Sequence, residues 1–66
     1  MTRYELIDKD GRITTVQVDR ETIAYLVREG VAQSDAEDEV LGVAVRHAIE
    51  AGSIGPDCWV RTIIGE

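Results

Sequence analysis

The order of local signals predicts an α+β fold with the element order ββααβ, a three-stranded antiparallel or mixed sheet with two helices packed on one face. Three observations predict it. Apolar and polar residues alternate on both sides of a Gly-containing turn at residues 8–11; two apolar stripes at helical spacing follow, each closed by a glycine; and a run rich in β-branched and aromatic residues, Cys58 to Ile64, comes last. The 66 residues are expected to form a single domain, residues 1–66, with a small core.

Residues 1–18 read as a β-hairpin around Asp8-Lys9-Asp10-Gly11. A two-residue turn at Asp10-Gly11 would pair Leu6 with Thr15 and Tyr4 with Gln17, mixing polar and apolar residues on both faces. A three-residue loop with Gly11 in the left-handed region pairs Asp8 with Arg12 instead. Tyr4, Leu6, Thr14, Val16 and Val18 then share one side, and register follows the pattern that buries one face. The other side carries Arg3, Glu5, Thr15 and Gln17, with an Ile7–Ile13 pair.

The first helix is expected over residues 20–29. Asp19 is its N-cap, Val18 and Ile23 form a hydrophobic staple, and Gly30 with Val31 folding back on Leu26 reads as a Schellman ending. For the second helix, Ser34-Asp35-Ala36-Glu37 reads as a capping box. Val40, Leu41, Ala44, Val45, Ala48 and Ile49 fill about half the helical wheel, and Gly52 is the stop. Gly42 inside this helix has two readings, close packing against a neighbour or a tolerated irregularity. Ser53 to Asp57 is a loop. In the last strand Cys58, Val60, Thr62 and Ile64 alternate with Trp59, Arg61 and Ile63. Both sets are largely apolar, so this strand is expected to be covered on both faces or to lie inside the sheet.

Thirteen acidic residues stand against seven basic ones, for a net charge of −6. Direct contact with nucleic acid or an anionic membrane is therefore not expected, because phosphates would be repelled. A helix-turn-helix reading fails for the same reason. Its second helix, residues 34–52, would carry Asp35, Glu37, Asp38, Glu39 and Glu50 against Arg46, a net charge of −4, into the major groove. No apolar run approaches a membrane span, and the charged residues 1–15 show no secretory leader. The single cysteine, Cys58, fits a reducing cytoplasm, as a small buried hydrophobe, a reactive thiol or the half of an intermolecular disulfide. The single histidine, His47, reads as a surface residue near a helix end. No nucleophile stands at a legible spacing from it and no phosphate loop is present, so neither an enzyme nor a cofactor is expected.

What remains is the uneven charge. Residues 1–18 are neutral overall, because Arg3, Lys9 and Arg12 balance Glu5, Asp8 and Asp10, whereas residues 34–52 hold −4 of the −6. One reading of Asp35, Glu37, Asp38 and Glu39 is a solvated helix start. The other is a set of carboxylates imitating phosphates, which would pair with Lys and Arg on a basic protein surface, with Val43 and the Ile7–Ile13 pair as drier contacts. Glu21, Glu29 and Glu50 are secondary candidates for the same role.

In size, acidity, single-domain form and lack of catalytic groups, the whole chain resembles the small acidic anti-CRISPR proteins of phages. No residue is carried over from them. The resemblance implies a non-enzymatic cytoplasmic inhibitor that blocks a CRISPR effector subunit by DNA mimicry or steric occlusion. The alternative is a small homo-oligomeric module, such as a homodimer, that buries the apolar last strand. A measured oligomeric state would separate the two.

Overall fold

The computed structural model describes residues 2–65. The strands β1 (Thr2–Asp8) and β2 (Ile13–Val18) are followed by the helices α1 (Arg20–Arg28) and α2 (Gln33–Glu50) and by the strand β3 (Cys58–Ile64). The three strands make one open antiparallel sheet in the order β2-β1-β3, so β1 is central. The α+β class and the ββααβ order are those the sequence predicts.

The hairpin adopts the register that gathers the apolar side chains. Tyr4 faces Val16 and Leu6 faces Thr14. The Asp8 N–H donates to the Arg12 carbonyl at 3.0 Å, and Gly11 takes φ +83°, where a side chain would be strained. Tyr4, Leu6, Val16 and Val18 are buried beneath the helices with Ile23, Ala36 and Ile54. The first helix is capped as expected, the Glu21 N–H donating to the Asp19 carboxylate at 2.9 Å. It closes with Val31 N–H donating to the Leu26 carbonyl at 3.0 Å, the long bond of a Schellman ending. The same bond recurs from Ser53 to the Ala48 carbonyl at 2.9 Å after α2.

The start of α2 differs from the expectation. Its N-cap is Ala32, no side chain caps it, and Ser34 lies inside the first turn, so the capping box does not form. Starting two residues earlier gives the backbone bond from Ala36 N–H to the Ala32 carbonyl at 2.9 Å and buries Ala36 completely, at 0% exposure. Packing of Ala36 thus outweighs the side-chain bond Ser34 would have made. Ala32 already holds the extended backbone of an N-cap, φ −62° and ψ 146°. Replacing it by Ser is therefore expected to stabilise the domain by about 1 kcal/mol. Ser34→Ala should leave the denaturation midpoint nearly unchanged, whereas a drop of about 1 kcal/mol would restore the capping box.

The strand β3 is also placed differently. It is an edge strand and exposed along its length, apart from the half-buried Cys58. The helices converge on Leu6, Val16 and Val18 and cover the β1–β2 side of the sheet, so little of β3 is roofed. Glu5 faces Thr62 but Leu6 faces Val60, which leaves Arg61 as the extra residue of a β-bulge. The bulge resets the alternation. Cys58, Val60 and Ile63 lie on the helix side opposite Asp8, Leu6 and Tyr4, whereas Trp59, Thr62 and Ile64 lie on the open side opposite Ile7, Glu5 and Arg3. Strict alternation in the sequence had grouped Ile63 with Trp59.

The loop between α2 and β3 is tied down by one carboxylate. Asp8 is buried, and its Oδ1 accepts from the N–H groups of Asp10 and Arg12, each at 2.9 Å. Its Oδ2 accepts from Arg12 Nε at 3.1 Å and from the Gly55 N–H at 2.9 Å. A Cβ at position 55 would stand 3.1 Å from that oxygen, so glycine lets the loop come close. Burial works to raise the Asp8 pKa, but the bonds from Gly55, Arg12 and Asp10 and the Arg12 side chain prevail and hold it below the ordinary 3.8. Beside this anchor Ile54 sinks into the core at 2% exposure.

Candidate functional site

The helix α2 forms a ridge with an apolar groove along each flank. Its core side is set by Ala36, Val40, Ala44 and Ala48, spaced four residues apart down one face. Asp35, Asp38 and Glu39 stand on the opposite, exposed side. At spacings of three and four residues their side chains begin about 5–6 Å apart. Gly42, Val43, Arg46 and Glu50 continue the exposed side.

Glu37 does not join this group. It lies on the core side of the helix and is half-buried. Glu50, at the other end of α2, is removed from Asp35 by about 22 Å of helical rise. Glu21 and Glu29 are exposed at opposite ends of α1. Glu29 receives a long hydrogen bond from the Tyr25 hydroxyl at 3.5 Å. The structure therefore joins Asp35, Asp38 and Glu39 in one patch and separates the other candidates from it.

Among the described residues no cation neutralises that patch. Among the described residues the ion pairs are Lys9–Asp57 at 3.2 Å, Arg12–Asp8 at 3.1 Å and Arg61–Glu5 at 3.1 Å. None involves α2, and Arg46, on the same side of the helix, forms none. Lys9, Arg12 and Arg61 are paired at the hairpin turn and on the sheet, while the acidic side of α2 faces water.

One groove, of about 430 Å³, runs between α2, α1 and the end of β2. Leu26, Val40, Val43 and Ala44 give it apolar walls, and Asp19 and Glu39 stand at its rim beside His47. Val43 is 39% exposed there and extends the apolar wall to the surface. Asp19 joins Glu39 in this groove although the two are far apart in sequence. Only the signal for its capping role was legible in the chain. The second groove, of about 260 Å³, lies between α2 and β3 and includes Asp38, Gly42 and Val60. Among the described residues nothing lies within 4 Å of where a Gly42 Cβ would be, so no described neighbour explains that glycine.

Among the described residues no three His, Cys, Asp or Glu side chains gather as a metal site would need, and no helix is long and apolar enough to cross a membrane. In comparisons with known proteins, no family model, curated protein or solved structure matches the chain.

Proposed function

We propose that this domain is a non-enzymatic binding protein that lays the acidic ridge of α2 on a Lys- and Arg-rich surface of another protein and thereby keeps nucleic acid off it. The observation that carries this reading is the patch of Asp35, Asp38 and Glu39, exposed and unpaired by any described cation of the chain, beside the apolar groove at Val43. Exposed ion pairs are worth only about 0–1 kcal/mol each, so carboxylates alone would bind weakly. A neighbouring apolar contact that excludes water supplies the rest. The resemblance to anti-CRISPR proteins names the class of target, a CRISPR effector subunit in the bacterial cytoplasm, met there by a phage protein. The domain itself contacts no nucleic acid or membrane in this reading and needs no cofactor.

The test is competition between the domain and labelled target DNA for a purified effector complex, at two salt concentrations. The wild-type domain is expected to displace DNA, less effectively at high salt. Replacing Asp35, Asp38 and Glu39 together by Lys is expected to weaken inhibition roughly a hundredfold while the circular dichroism stays that of the folded domain. Equal inhibition by the reversed variant would end the acidic-ridge reading.

A second reading, a self-associating structural or regulatory module, is favoured by a separate observation. Trp59, Val60, Ile63 and Ile64 of β3 are all exposed, at 54%, 38%, 63% and 38%.

A further inference from the structure

We infer that the open face of the sheet is a self-association surface on which two copies of this chain pack face to face. Ile7 of the central strand pairs across to Ile13 on one side and Trp59 on the other, so one apolar row crosses all three strands. Ile13 is 49% and Trp59 54% exposed, and no described element covers them. Oligomerisation is a common way for so small a domain to bury such a row.

Charge selects a second copy as the occupant. The chain carries −6 overall, and its acidic helix lies on the other layer. The open face displays Arg3, Glu5 and Arg61, a net charge of +1, so two copies repel least when these faces meet. The Glu5–Arg61 pair is also self-complementary. A two-fold axis along the strands, midway between β1 and β3, sets Glu5 of one copy over Arg61 of the other, and the reverse. The same rotation sets Trp59 over Ile7, with its ring reaching Ile13. Each contact is made twice, as an isologous interface requires. Pairing through the β3 edge is disfavoured instead, because the Arg61 bulge and its charge blunt that edge.

With the axis between β1 and β3, two strands of each copy overlap, about 4.8 Å apart and seven residues rising about 3.3 Å each, a footprint of roughly 10 by 23 Å in plan. That is small beside the ~800 Å² each partner contributes to a standard interface, so dissociation in the micromolar range is expected. Sedimentation equilibrium from about 1 to 500 µM should show the mass rising from 7.3 kDa towards twice that. Trp59, the sole tryptophan, should shift its emission to the blue and lose access to acrylamide over the same range.

Arg61→Glu is expected to hold the protein monomeric. The swapped variant Glu5→Arg with Arg61→Glu, which restores opposite charges within and between copies, should bring the dimer back to within about threefold of the wild-type constant. If Arg61→Glu does not fold, Trp59→Lys, a substitution at an exposed position inside the β1–β3 overlap, is expected to weaken the dimer at least about tenfold. A wild-type protein monomeric at the highest concentration, a dimer indifferent to Arg61→Glu or Trp59→Lys, or a folded swap that stays monomeric would each overturn the inference. The acidic ridge lies on the opposite layer, so these variants should leave displacement of DNA by a saturating domain unchanged, and the α2 reversal should leave the dimer mass unchanged.

Discussion

Asp8→Ala is expected to be among the most destabilising single substitutions in this domain. The Asp8 carboxylate accepts four bonds, from Asp10 N, Arg12 N, Arg12 Nε and Gly55 N, at 2.9 to 3.1 Å. Three of these donors are backbone groups at two chain segments, the hairpin turn and the loop into β3. Deleting the acceptor leaves Gly55, which is buried, with no described partner for its N–H, and it frees the loop that carries the buried Ile54. Losing several partners of buried donors is among the costliest single changes a small domain can suffer. Thermal melting by circular dichroism should show a drop on the order of 10 °C or more. Asp8→Asn should fall between, since one oxygen still accepts while the new amide faces donors.

The same carboxylate predicts an acid limb. Its folded pKa lies below the ordinary 3.8, so its contribution is complete above the unfolded pKa and is lost as pH falls through the folded one. The gap in melting temperature between wild type and Asp8→Asn should be constant above about pH 5 and close progressively below about pH 4. A gap that stays constant down to pH 2 would show that the charge on Asp8 contributes nothing to stability.

Leu6→Ala is the second large effect. Leu6 is 1% exposed on the central strand, with β2 on one side, β3 on the other and the helices above. Large-to-small changes at such sites cost about 2–5 kcal/mol. A domain of this length has about 3–10 kcal/mol in total. The variant is therefore expected to sit near its unfolding midpoint in plain buffer, with a broad melting curve and a shifted urea midpoint. Val27→Ala, on the exposed side of α1, is the control and should change stability by less than about 0.5 kcal/mol. Equal behaviour of the two variants would mean that the core is not centred on β1.

Local rules carried the hairpin and both helix ends because each rests on neighbouring residues. Gly11 and the Tyr4–Val16 alternation settle the register, and Gly30 with Val31 settles the close of α1. The start of α2 was misread because Ser34 and Glu37 offer a valid local solution, whereas burial of Ala36 is decided by tertiary packing. A small residue four before Val40 on the same stripe was the available hint. The exposure of β3 could not be read either. Apolar residues on both faces of a strand are the same letters whether helices roof it or a second molecule does. The acidic patch was legible as a charge run, and the helical wheel alone sets Glu37 apart from it, four residues before Leu41 and seven before Ala44 on the apolar stripe.

The central strand is paired on one side by the strand that follows it at once and on the other by the strand that follows everything else. Arg61 meets Glu5 across 56 positions of chain. The hairpin and the two helices can assemble locally, but the sheet stays two-stranded until that long loop closes. Such wide-spaced pairing slows folding. The closing strand is therefore the natural last step on the way in and, by the same logic, the first piece to fray on the way out.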